Sequence, residues 1–184
     1  MLESGATLRL ASAGPDSCAS VVNRYRLDVY ASSLTDVVES IGGLLVDRSL
    51  GGWAVTIFIP AVADVRPLRI LGASWASLTP AIEVPSAPTD GTAAAVSATM
   101  ATEDMNIWHQ LCSSYADGRG DFTVWGDSTP DGLPAQMRPV EHRMSSAARA
   151  FKSQALRAIG RASLSDTEAI YSSATHQAAK SDIL

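Results

Sequence analysis

The segment from Ser33 to Gly72 constrains the fold most, because it joins a helical period to a run that only a buried strand accommodates. Leu34, Val37, Val38, Ile41, Leu44 and Leu45 recur at steps of three and four, which places them on one face of a helix. Ser33, in a Ser-x-x-Asp relation to Asp36, caps its first turn, the hydroxyl oxygen accepting a free backbone N–H. Gly51-Gly52 breaks the helix, and Trp53-Ala-Val-Thr-Ile-Phe-Ile59 follows as a β-branched and aromatic run ended by Pro60. Such a run reads as a strand covered on both faces. Pro67 to Leu71, closed by Gly72, is a second strand candidate. Helix and strands together predict one α/β domain, a mixed or mainly parallel sheet with helices packed on its faces.

The flanking segments are read in the same terms. Residues 1–15 form a loosely held arm with a short strand at Thr7–Leu10, and a helix runs to about Asn23. From Arg24 to Tyr30 charge alternates with bulk, the pattern of a half-exposed strand with Tyr25, Leu27 and Val29 inward and Arg24, Arg26 and Asp28 in water. Residues 79–101 hold Pro80, Pro85 and Pro88 and then a run of small residues with little to bury, so they read as a flexible insertion or an edge strand. Thr102 caps a helix whose inner face is Met105, Trp108, Leu111, Cys112 and Tyr115, and Phe122–Trp125 is a short strand. Pro130, Pro134 and Pro139 leave residues 128–139 irregular. A helix over Val140–Ile159 gathers Met144, Ala147, Ala148, Phe151, Ala155 and Ile159 inside, and a last helix spans Ser165–Ala179.

Composition excludes several classes of function. Fourteen basic against nineteen acidic side chains leave a net charge of −5, which gives no global attraction to nucleic acid or anionic lipid. No apolar run reaches the ~20 residues of a membrane span, and the first twenty residues lack the apolar centre of a secretory signal. Cys18 and Cys112 stand far apart without metal-ligand spacing, as reduced thiols in a cytoplasmic protein would. Neither Gly-x-Gly-x-x-Gly nor a Walker loop is present, so no nucleotide cofactor is expected. Three scattered histidines suggest no metal site, and Cys112 with His109 sits inside a helix on its apolar stripe, where a thiol is structural. No catalytic residue is assigned.

Two functional expectations remain. Between Glu141 and Arg161 five basic residues and one acid give a local charge of +4, leaving −9 on the rest of the chain. Arg143, Arg149, Lys152, Arg157 and Arg161 are then the contact surface of a non-enzymatic interaction or regulatory domain, its partner an acidic protein. Nucleic acid is a weaker partner, since no aromatic residues interleave the basic ones. The alternative is a small enzyme or small-molecule-binding protein with a polar pocket at the carboxyl ends of the strands, built from Asp64, Asp127 and Ser128. A homo-oligomer formed through the small-residue segment at 91–101 is a further possibility.

Overall fold

The sheet grows outward from a central parallel pair. The computed structural model describes residues 25–79, 84, 88, 91–127, 130–162 and 165–173. In chain order the elements are β1 (Tyr25–Tyr30), α1 (Leu34–Leu50), β2 (Trp53–Ile59), α2 (Arg66–Ile70), β3 (Ser74–Ser77) and β4 (Thr92–Ser97). They continue with α3 (Ala98–Glu103), α4 (Met105–Ser114), β5 (Asp121–Trp125), β6 (Arg138–Arg143), α5 (Ser146–Ala158) and β7 (Thr167–Ser172). The strands form one seven-stranded sheet in the order β3-β2-β1-β4-β5-β7-β6. The pairs β1–β2, β1–β4, β2–β3 and β4–β5 are parallel, and β7 runs antiparallel to both β5 and β6. This is the α/β architecture that the alternation of helix and strand predicts.

Period two divides the core into two layers. Leu27, Val29, Val55, Ile57, Ile59, Ala93 and Ala95 face the layer of α1, α2 and α5, where Val37, Val38, Ile41 and Leu45 are completely buried. Each fully buried Val, Leu or Ile of this layer contributes about 1.5–3 kcal/mol. Tyr30, Ala94, Val96, Phe122 and Val124 face the opposite layer with Met100, Trp108, Leu111 and Tyr115 of the α3–α4 region. The Ser33 cap forms as the spacing predicts, its Oγ accepting from the Asp36 amide at 3.2 Å.

Six expectations are corrected. First, residues Arg66–Ile70 form the short helix α2, not a strand, because Pro67 suits a first helical turn and Asp64 Oδ1 accepts from the Arg66 amide at 2.9 Å. Second, the small residues at 92–97 are the central strand β4, with Ala93, Ala94, Ala95 and Val96 all buried between helical layers. Small side chains suit a strand crowded on both faces. Third, β1 is central, so Asp28 is buried and not solvated. Fourth, Arg138–Arg143 is the edge strand β6, where Pro139 is tolerated, and the helix begins only after the Ser145 cap. Fifth, Thr167–Ser172 is the strand β7, in which Glu168, Ile170 and Ser172 alternate inward. Sixth, the helix starting at Thr102 begins instead at Met105, capped by Asp104. The 1–15 arm, the helix ending near Asn23 and residues 174–179 of the last predicted helix lie outside the described residues, as does part of the 79–101 insertion.

Candidate functional site at the strand switch point

The chain builds β1, β2 and β3 toward one side of the sheet and returns to lay β4 on the other side of β1. In an open α/β sheet this reversal opens a crevice at the carboxyl ends of the two diverging strands, the usual place for a ligand. Here that switch point falls between the ends of β1 and β4.

Ser32 follows β1 by one residue beyond Ala31, and Glu103 closes the helix that begins directly after β4. The Ser32 hydroxyl donates to Glu103 Oε2 at 2.5 Å, joining the two sides of the crevice. Both loops are held from below. Ser97, 1% exposed, caps α3 through the Met100 amide at 3.0 Å, which fixes the helix that carries Glu103. Ser33 caps α1, and Asp36 in that first turn accepts from the Trp125 indole Nε1 at 3.2 Å to each carboxylate oxygen and from Ser40 Oγ at 2.9 Å. Trp125 is the last residue of β5 and is buried, so the Asp36 carboxylate ties the end of β5 to the start of α1. Gly126, at φ +131°, lets the chain leave β5 against Ala98, whose Cβ would stand 2.8 Å from any Cβ placed there.

The arrangement suits acid–base chemistry. Glu103 is an exposed carboxylate with one hydroxyl proton already aligned on it. The amides of Leu34 and Thr35 open α1, where a helix leaves N–H groups without intrahelical acceptors and presents a partial positive charge. No group of three or more His, Cys, Asp or Glu side chains that could hold a metal ion is found among the described residues.

The residues singled out from sequence fall elsewhere or apart. Asp64 leaves β2 and is held in an exposed ion pair with Arg66 at 2.7 Å, whose hydrogen bonds draw its carboxyl below the usual range. Asp127 leaves β5 and is exposed, and Ser128 lies outside the described residues. With β1 and β4 between β2 and β5, three strand spacings separate the two ends, about 14 Å. Among the basic residues, Arg143 ends β6, Arg149 pairs with Asp166 at 3.2 Å, and Arg161 pairs with Glu39 at 3.0 Å. Lys152 is 2% exposed and its Nζ lies 2.6 Å from Glu168 Oε1. Arg157 remains exposed on α5. Helix α5 is therefore turned so that Lys152 points inward and Phe151 outward, and the predicted basic face loses Lys152 while Arg143, Arg149, Arg157 and Arg161 stay exposed. Cys112 stays on the inner side of α4, where burial pushes its thiol up to about 11, while His109 is exposed.

No protein-family model matches the chain, and no curated protein matches it. Solved structures do. A deacetylase in complex with teicoplanin, from the biosynthesis pathway of teicoplanin, superposes with a TM-score of 0.53 at 11% identity over 80% of this chain and 97% of that one. The zinc-inhibited form of teicoplanin deacetylase Orf2 gives 0.53 at 12% identity over the same shares, 80% and 97%. A triple mutant of a deacetylase of that pathway gives 0.51 at 12% identity, again covering 80% and 97%. The likeness is one of fold. It overturns the expectation of a non-enzymatic interaction or regulatory domain, since the fold is one that proteins described as deacetylases carry, and Lys152 of the expected contact surface is buried against Glu168. Among the described residues no helix is long and apolar enough to cross a membrane.

Sequence reasoning missed Ser32 and Glu103. Glu103 was visible only as an acid near a helix start, and Ser32 as the neighbour of a cap. The strand order that brings them together has no local signature.

Proposed function

We propose that the protein is a small enzyme that hydrolyses an acyl group from a small molecule at the switch point, with Glu103 as general base. The observation that carries this reading is the Ser32–Glu103 hydrogen bond across the crevice between β1 and β4. The shared fold with proteins described as deacetylases supports acyl transfer as the reaction class. A carboxylate in that position withdraws a proton from the attacking oxygen and returns it to the leaving group, while the first-turn amides of α1 face the charge that develops on the carbonyl oxygen. A cytoplasmic setting accords with Cys112, which is free.

The test is acetate release from a panel of N-acetylated sugars, N-acetylated amines and simple acetate esters, with the purified chain and its Glu103→Gln variant. Turnover of at least one class is expected, with a loss of about 10²–10⁴-fold in the variant. Absence of release across the panel, or equal rates for both proteins, overturns the reading.

A further inference from the structure

Resting on that reading, the geometry points to Ser32 as the nucleophile, so that the reaction passes through an acyl ester on this chain and not through direct attack by water. The proton aligned on Glu103 belongs to the Ser32 hydroxyl, whose oxygen sits 2.5 Å from Oε2. Ser32 is half-buried at the sharp passage from β1 into α1, directly before the capping residue, so its oxygen lies beside the amino end of a seventeen-residue helix. Nucleophile, base and amide donors therefore come from two adjacent loops that are both braced: one by Ser33 and the Asp36–Trp125 contact, the other by the buried Ser97 cap.

The steps balance without another reactant than water. Ser32 Oγ bonds to the acyl carbon as its proton passes to Glu103, giving a tetrahedral oxyanion opposite the amides of Leu34 and Thr35. Collapse breaks the bond to the leaving nitrogen or oxygen, which takes the proton from Glu103 and departs. Water then gives a proton to Glu103 and its oxygen bonds to the acyl carbon. The ester bond breaks, the proton returns to Ser32 Oγ, and the products are a carboxylic acid and an amine or alcohol.

The experiment uses the full chain with 4-nitrophenyl acetate, quenched in acid and analysed by peptide mass spectrometry. An acetyl group on the peptide holding Ser32 is expected, absent in Ser32→Ala and sharply reduced in Glu103→Gln. Steady-state release in Ser32→Ala should fall on the order of 10²-fold or more. Ser113→Ala, on the exposed side of α4, should match the parent protein. Chelator treatment should leave the adduct unchanged. If Ser32→Ala retains the parent rate while Glu103→Gln is inactive, the nucleophile is water: this inference falls and the hydrolase reading stands. If the acetyl group resides on another residue, the inference also falls. If the parent protein turns over no acyl compound, both fall together.

Discussion

Two carboxylates in this molecule each hold one donor side chain at close range, and their surroundings differ in every other respect. Glu103 meets Ser32 at 2.5 Å in an exposed contact at the carboxyl ends of β1 and β4. Glu168 meets Lys152 at 2.6 Å where their side chains are 1% and 2% exposed, and it also accepts from the amides of Gly43 and Leu44 at 2.7 Å each. The first pair spans two loops at the strand ends. The second joins α1, α5 and β7 inside the layer that covers the sheet. Gly43 makes this possible, since a Cβ there would stand 2.1 Å from Met144 Sδ and 3.1 Å from Glu168 Oε1. A buried charge that is paired and fully hydrogen-bonded is structural, because nothing can reach it. A paired carboxylate at a crevice is free to exchange its partner, and that exchange is what chemistry requires.

The sharpest way to break this contrast is to remove one partner of the buried pair. Lys152→Met leaves Glu168 charged, out of water and short of a donor, and a loss of about 3–5 kcal/mol in unfolding free energy is expected by urea denaturation. Glu168→Gln keeps the shape but strands the Lys152 ammonium, with a loss in the same range. The double change Lys152→Met with Glu168→Leu should recover part of the loss but not all, because the Gly43 and Leu44 amides then lack the carboxylate. A Lys152→Met protein as stable as the parent would mean that the amine is solvated, and the contrast would dissolve.

The same two regions show how far sequence could be read. The Ser33 cap, the α1 stripe and the β2 run were legible because each rests on neighbours in sequence. Lys152 was not, since a lysine flanked by arginines on an amphipathic helix reads as surface until Glu168, sixteen residues on, supplies the partner. Glu168 itself was assigned to a helix because Ser165 and Asp166 resemble a cap. Its strand character comes from being wedged between β5 and β6, a tertiary cause. The alanines of β4 were misread for the opposite reason: small side chains carry little apolar signal even where the strand is wholly buried. The crevice was legible only as a rule about strand ends, since its two residues are separated by 71 positions and joined by topology.

A smaller effect distinguishes a third carboxylate, intermediate between those two. Asp28 lies in the middle of β1, buried, with Arg26 Nη2 2.6 Å away on a half-exposed side chain. Burial raises its pKa above 3.8, and Arg26 only partly offsets the rise. The folded protein therefore holds this proton more tightly than the unfolded chain, so Asp28 favours folding most below the unfolded pKa. Its contribution is lost as pH climbs from there through the folded value. Asp28→Asn should flatten the stability profile across that window and give a gain near neutral pH that shrinks toward pH 4. Denaturation midpoints measured from pH 3 to 7 check this, and a gain independent of pH would assign the effect to packing.

The smallest expected change sharpens the comparison most. Ser32→Ala and Glu103→Gln each alter an exposed hydrogen bond, so each should move unfolding free energy by no more than about 0.5 kcal/mol. Lys152→Met should stand several kcal/mol away in the same experiment. If the open pair were merely another brace of the fold, removing it would cost stability in proportion to the contact it makes. Indifference in stability, measured on the very variants that lose acetate release, separates a group held ready for a substrate from one that holds the protein together. A loss above about 2 kcal/mol for either variant would place the pair with Lys152 and Glu168 instead, as structure.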